Sequence, residues 1–169
     1  MNERETILRF LERDHRRLDE LLARASRNPE NIDREAFSEF RRGLLRHIGM
    51  EEKILLPAIQ QLRSGQPLAI AARLRLDHGA LAALLVPSPR AAVLRALTTV
   101  LAIHNPLEEG PSGVYAECDR IAGTESGAIL KRLLAAPEIP VAKHMDGPRV
   151  ESAARHVLAR AGFDAELLD

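Results

Sequence analysis

The chain has no tryptophan, one tyrosine and four phenylalanines among 169 residues. Strand-rich cores draw on aromatic and β-branched side chains, so this scarcity, beside an abundance of Leu and Ala, predicts helices. A single cysteine, Cys118, excludes an internal disulfide framework and fits a reducing compartment. Neither sign of charge is in excess, with 24 basic and 24 acidic residues. No electrostatic footprint for nucleic acid follows, and none is expected as a partner. Long apolar runs are lacking, and the charged N-terminal stretch does not read as a signal peptide. No membrane partner is therefore expected, and the cytoplasm is the expected location. The length suits one domain with room for an appendage.

What is present is helical periodicity. Apolar residues at 37, 40, 44, 48, 54, 55, 58, 59 and 62 advance by threes and fours, as on a core-facing helix side. His47 and Glu51 fall in register with that stripe, one turn apart on one face. Burying a carboxylate costs several kcal/mol unless it is paired or binds metal. No Lys or Arg shares the stripe, so a metal ion is the obvious partner.

Three more stripes flank this one. The first helix is predicted from an N-cap at Asn2, with Glu5 three residues on, to a stop at Asn28-Pro29. Its face is Ile7, Leu11, Leu18, Leu22 and Ala25, and His15 fills the gap. Asp33 caps the second helix, Pro57 should kink it about one turn past Glu51, and Ser64-Gly65 ends it. Pro67 opens the third helix, with Ala71, Leu74, Leu81 and Leu85 around His78. Ser88-Pro89 opens the fourth, which runs Val93, Leu97, Val100 or Leu101, His104 and Glu108. Pro106 should loosen it, Gly110-Pro111-Ser112-Gly113 interrupts it, and 114–122 resumes it. Short connections make this an all-α, antiparallel up-down-up-down four-helix bundle over residues 1–122. Residues 123–169 read as a C-terminal helical extension packed on the bundle. It holds helices near 127–135 and 149–161, an extended Pro137–Pro140 and a turn at 144–148.

The chain is one helix pair written twice. Asp14-His15-x-x-Leu18-x-x-Leu21-Leu22 matches Asp77-His78-x-x-Leu81-x-x-Leu84-Leu85, and His47-x-x-x-Glu51-Glu52 matches His104-x-x-x-Glu108-Glu109. At ~1.5 Å per residue, the four histidines fall within about a turn of one level. His15, His47, Glu51, His78, His104 and Glu108 are thus candidate metal ligands in one layer. Two ions fit better than one: each takes two histidines, and both glutamates bridge ions roughly 3.5–4 Å apart. Imidazole with carboxylate suits iron, manganese or zinc.

These motifs resemble the hemerythrin-like, HHE cation-binding group. The resemblance covers roughly residues 3–122. His47-Ile-Gly-Met-Glu51-Glu52-Lys-Ile-Leu-Leu-Pro57 is similar to the group's second-helix motif. His104-Asn-Pro-Leu-Glu108-Glu109-Gly is similar to its fourth-helix motif, with Tyr115 displaced by the extra Pro111-Ser112-Gly113. The resemblance implies two iron ions, Fe2+ or Fe3+, with an oxo or hydroxo bridge, that bind oxygen or react with peroxide or nitric oxide. Oxygen-carrying hemerythrins place a second His on the third helix, four residues from the first; here those positions are Leu74 and Ala82. A more symmetric, more open site is expected, which favours sensing or redox turnover over reversible oxygen carriage. The resemblance would place the fourth-helix carboxylate at Glu109; periodicity and the internal repeat favour Glu108.

Three functions compete. One is a module that binds or senses dioxygen, nitric oxide or iron. Another is a di-iron enzyme that decomposes hydrogen peroxide. The last is a bundle with zinc or no metal, acting through its extension on a protein partner or a second copy. Around the six candidates, Asp14 and Asp77 are either exposed acids or acceptors for an imidazole. Glu52 and Glu109 are solvated or accept in the same way. Tyr115 is a packed core residue or a donor near the metals. Cys118 is a small buried apolar residue, and His144 and His156 lie outside the repeat as a turn residue and a surface residue.

Overall fold

A computed structural model describes residues 5–169. Its described residues are all-helical, with no strand among them. α1 spans Ile7–Ser26 and α2 Arg34–Met50. A π-helical turn, Glu51–Leu55, joins α2 to α3, Leu56–Leu62. α4 (Ala71–Leu84), α5 (Ala91–Glu108) and α6 (Val114–Ala122) follow. α7 (Ser126–Leu134) and α8 (Pro148–Arg160) complete the chain, with a closing 3₁₀ turn at Ala165–Leu168. None of the helices described is long and apolar enough to cross a membrane.

Helix starts follow capping chemistry, not always at the expected residue. The expected cap at Asn2 lies outside the described residues. α1 opens at Ile7, where the Thr6 side chain accepts from the Arg9 amide at 3.2 Å. Asp119, on α6, takes the amides of Ile7 and Leu8 at 3.2 and 3.0 Å, so a distant residue satisfies two donors that a helix start leaves open. Asp33 caps α2 as expected. Pro67 does not open α4, which begins at Ala71. Ser88 does not cap α5 either; its amide and hydroxyl bind Asp146 at 2.8 and 2.6 Å, and α5 starts at Ala91. The competing carboxylate from the extension redirects Ser88.

Proline acts differently in its two helices. Ahead of Pro57 the backbone widens into the π turn, with the Leu56 amide bonded to the Glu51 carbonyl. Such a bulge admits an extra residue and relieves crowding by the ring. The distortion begins at Glu51 itself rather than a turn later. It also shifts the buried register, so that Met50, Leu55 and Ile59 are buried while Leu62 is 44% exposed. α5 instead runs on through Pro106 to Glu108.

Two apolar clusters make the core. One gathers Leu18, Leu22, Phe37, Phe40, Leu44, Leu81, Leu84, Val93, Leu97 and Leu101. The other gathers Ile7, Leu11, Met50, Leu55, Ile59, Leu74, Tyr115 and Cys118. His15 lies between Leu11 and Leu18, His47 between Leu44 and Met50, and His78 between Leu74 and Leu81. The polar layer is therefore closed above and below by hydrocarbon. α8 packs along α4, and Leu158, Phe163 and Leu168 join the first cluster. Arg41 and Arg46 of α2 hold the preceding segment through the carbonyls of Ala142 and Ala136, at 2.7 and 3.1 Å.

Candidate metal centre

All six sequence-derived candidates converge. Donor atoms of His15, His47, Glu51 and Glu108 lie within 4.8 Å of one another, and so do those of His78, His104 and Glu108. Every one of the six is at most 3% exposed. Glu108 belongs to both groups. Glu51 also reaches both, with Oε1 3.5 Å from His47 Nε2 and Oε2 3.1 Å from His78 Nε2. Glu108 Oε2 stands 3.2 Å from His104 Nε2 and 3.5 Å from His15 Nε2. Glu109 does not enter the layer.

The outer nitrogens of the four imidazoles are held by four further carboxylates. His47 Nδ1 is 2.9 Å from Asp14 and His104 Nδ1 is 3.2 Å from Asp77. His78 Nδ1 is 2.8 Å from Glu52 and His15 Nδ1 is 2.6 Å from Glu109. The pattern follows the sequence repeat. The Asp before each lone His serves the His of the next helix, and the Glu after each His-x-x-x-Glu serves a lone His. With Nδ1–H donated outward, each Nε2 turns a lone pair inward, the tautomer a metal ligand needs.

That arrangement leaves acceptors facing acceptors. Glu51 Oε2, Glu108 Oε1 and His78 Nε2 are buried without a hydrogen-bond partner. Such a cluster calls for positive charge, either protons on the imidazoles or a metal ion. Without metal, protons supply it. Burial opposes charge on His47, but Glu51 and Asp14 outweigh it and hold the pKa up to about 10. Against the same burial, Glu108, Glu51 and Glu52 lift His78 to about 12. Burial opposes charge on His104 too, and Asp77 and Glu108 lift it to about 9. Glu51, whose burial alone would raise it, is pulled well below the usual carboxylate range by His47 and His78. Four imidazoles and two carboxylates, all buried, make a donor set that fits metal ions.

A sequence model of the hemerythrin HHE cation-binding domain matches residues 6–111. The chain belongs to the hemerythrin HHE cation-binding family. Comparisons with curated proteins and with solved structures gave no match. The family span takes in α1 to α5 and all six buried candidates, and stops before α6.

Of the two places the sequence allows Tyr115, packed core or donor beside the candidate ligands, the structure gives it both. It is fully buried, as a core tyrosine would be, but its hydroxyl sits inside the layer. The oxygen is 2.5 Å from Glu51 Oε1, 3.0 Å from Glu108 Oε2, and 3.1 Å from Nε2 of both His15 and His47. The imidazoles and their outer acids follow the repeat, but Glu51 and Glu108 both join the His15–His47 group while only Glu108 joins the other, and the phenol occupies the first half alone. Gly113 makes this approach possible: a Cβ there would collide with the carbonyl oxygens of Glu108 and Glu109. Cys118 is buried and its thiol is pushed up to about 12, first by burial and then by nearby carboxylates, so it is an inert core residue. His156 is exposed, and His144 stacks on Phe37 at 6.1 Å, away from the layer.

Proposed function

We propose that this family member is a non-haem di-iron protein that binds or senses a small ligand such as dioxygen or nitric oxide. His15 and His47 would hold one ion, His78 and His104 the other, and Glu51 and Glu108 would bridge them. The observation that carries this is the inward turn of four Nε2 lone pairs, each fixed by its own outer carboxylate, onto two shared carboxylates. Bound iron would supply open coordination positions and one-electron chemistry. The protein residues orient those positions, exclude water through the two apolar clusters and hold charge balance through the paired acids and imidazoles. The near-complete burial of the layer favours diatomic ligands over large substrates. The same site would admit hydrogen peroxide, and manganese or zinc would satisfy the same donors.

The fold we propose around it is the up-down-up-down bundle. Support comes from the clusters: α1 and α4 enter through the one holding Ile7 and Leu74 and leave through the one holding Leu22 and Leu84. α2 with α3 runs in the opposite sense, from the cluster holding Phe37 to the one holding Met50 and Ile59, and α5 with α6 does the same. Metal analysis with an absorption spectrum tests the proposal. Two irons per chain with oxo-bridge bands in the near ultraviolet is the expected result. One zinc, or no metal at saturating iron, overturns it. Rapid multiple-turnover release of oxygen from peroxide would instead assign an enzyme.

A further inference from the structure

We propose that Tyr115 is itself a protein ligand, binding through its phenolate oxygen to the ion held by His15 and His47, which makes the two ions chemically unequal. This rests on the dinuclear site proposed above and adds a donor outside the family-matched span, which ends at residue 111.

Donors at neighbouring corners of one ion, with bonds of about 2.0–2.2 Å, stand roughly 2.8–3.1 Å apart. The Tyr115 oxygen keeps 2.5–3.1 Å from four donor atoms at once, those of Glu51, Glu108, His15 and His47. These are the four residues of one candidate group, and its two histidines are absent from the other. A tyrosine that merely supported the site would touch one ligand from outside, as Asp14 and Glu109 do. A hydroxyl also has one proton to give. Donated to Glu51, it leaves Glu108 Oε2 and, once the imidazoles yield their inner protons to a metal, two Nε2 lone pairs directed at the same oxygen. An ion among them resolves that crowding: the O–H bond breaks, the proton leaves to solvent, and the oxygen–metal bond forms without change of oxidation state.

The backbone around Tyr115 places this oxygen. The break after Glu108, closed by Gly113, turns the chain inward, and Asp119 ties α6 to the start of α1. The other half receives nothing comparable. The chain has one tyrosine, and the partnerless atoms Glu51 Oε2, Glu108 Oε1 and His78 Nε2 lie on the His78 side. An external ligand is accordingly directed to the ion at His78 and His104.

Composition makes the test clean, because any phenolate signal from this chain comes from Tyr115. Wild-type protein is loaded with iron, oxidised, assayed for metal, and examined by visible absorption and resonance Raman. Expected are a phenolate-to-iron charge-transfer band in the visible and enhanced phenolate ring vibrations, both absent from Tyr115→Phe when its spectra are scaled to the iron it retains. Two irons per chain without phenolate vibrations overturns ligation by Tyr115 and leaves the dinuclear site standing. Failure of the wild type to bind iron removes both. The Raman measurement needs only the wild type, so it decides the question even if Tyr115→Phe folds poorly.

Discussion

Glu109 stands 2.6 Å from Nδ1 of His15, across from the neighbouring helix, while Glu108 beside it points into the buried layer. Two adjacent acids thus serve opposite ends of the imidazoles. One should set how tightly metal binds, the other whether it binds at all.

Glu109→Gln should keep two metals per chain at saturation but weaken binding about 10–100-fold, because the imidazole loses its orienting acceptor. Competition with a chelator measures this. Glu52→Ala should behave in the same way through His78, since the two groups are 2.8 Å apart. A loss of stoichiometry in either variant would count against an orienting role.

Glu51→Ala should lower metal content itself. Its two oxygens reach toward His47 and His78 from opposite ends, so both ions lose a donor together. Iron per chain is the measurement, and a value equal to wild type would sink the bridging assignment.

The metal-free protein should lose stability as pH rises above neutrality. His47, His78 and His104 carry folded pKa values of about 10, 12 and 9, above an unfolded value of 6.5. Below about 6.5 both states hold these protons and the stabilisation is complete. Between there and about 9–12 the folded state binds more protons, so stability falls by at most about 1.4 kcal/mol per pH unit for each group. Glu51 and Glu108 act oppositely, stabilising above the ordinary carboxylate pKa and losing that as pH falls through their depressed values. Urea unfolding at pH 6 and pH 9 checks the first part. Metal binding should release protons and strengthen with pH over the same upper range, as calorimetry in buffers of different ionisation heat would show.

Gly113→Ala should destabilise the fold by about 1–3 kcal/mol, because the added methyl meets backbone carbonyls that have no room to move. Thermal unfolding reads the cost. Asp119→Ala should cost about 0.5–2 kcal/mol through the lost cap on α1, and should loosen the seat of α6.

The helices and the six inward residues were legible because period and burial are coupled. A histidine in a leucine stripe has only one place to point, and four stripes that each place one at the same level must bring them together. Helix openings were less so. Ser88 has the residue type of a cap, yet a carboxylate 58 positions away claims it. The sequence places a kink about one turn past Glu51 where the structure has a π turn at Glu51–Leu55, since period alone does not distinguish a bend from an added residue.

From the order of residues alone came the helical class, the polar layer within the leucines and the choice of Glu108 as the inward acid of its pair. Only the tertiary structure decided which acid serves which imidazole, and that Tyr115 breaks the two-fold pattern. Those relations join different helices, and their distances depend on how a glycine-rich break turns the chain, which no local periodicity encodes.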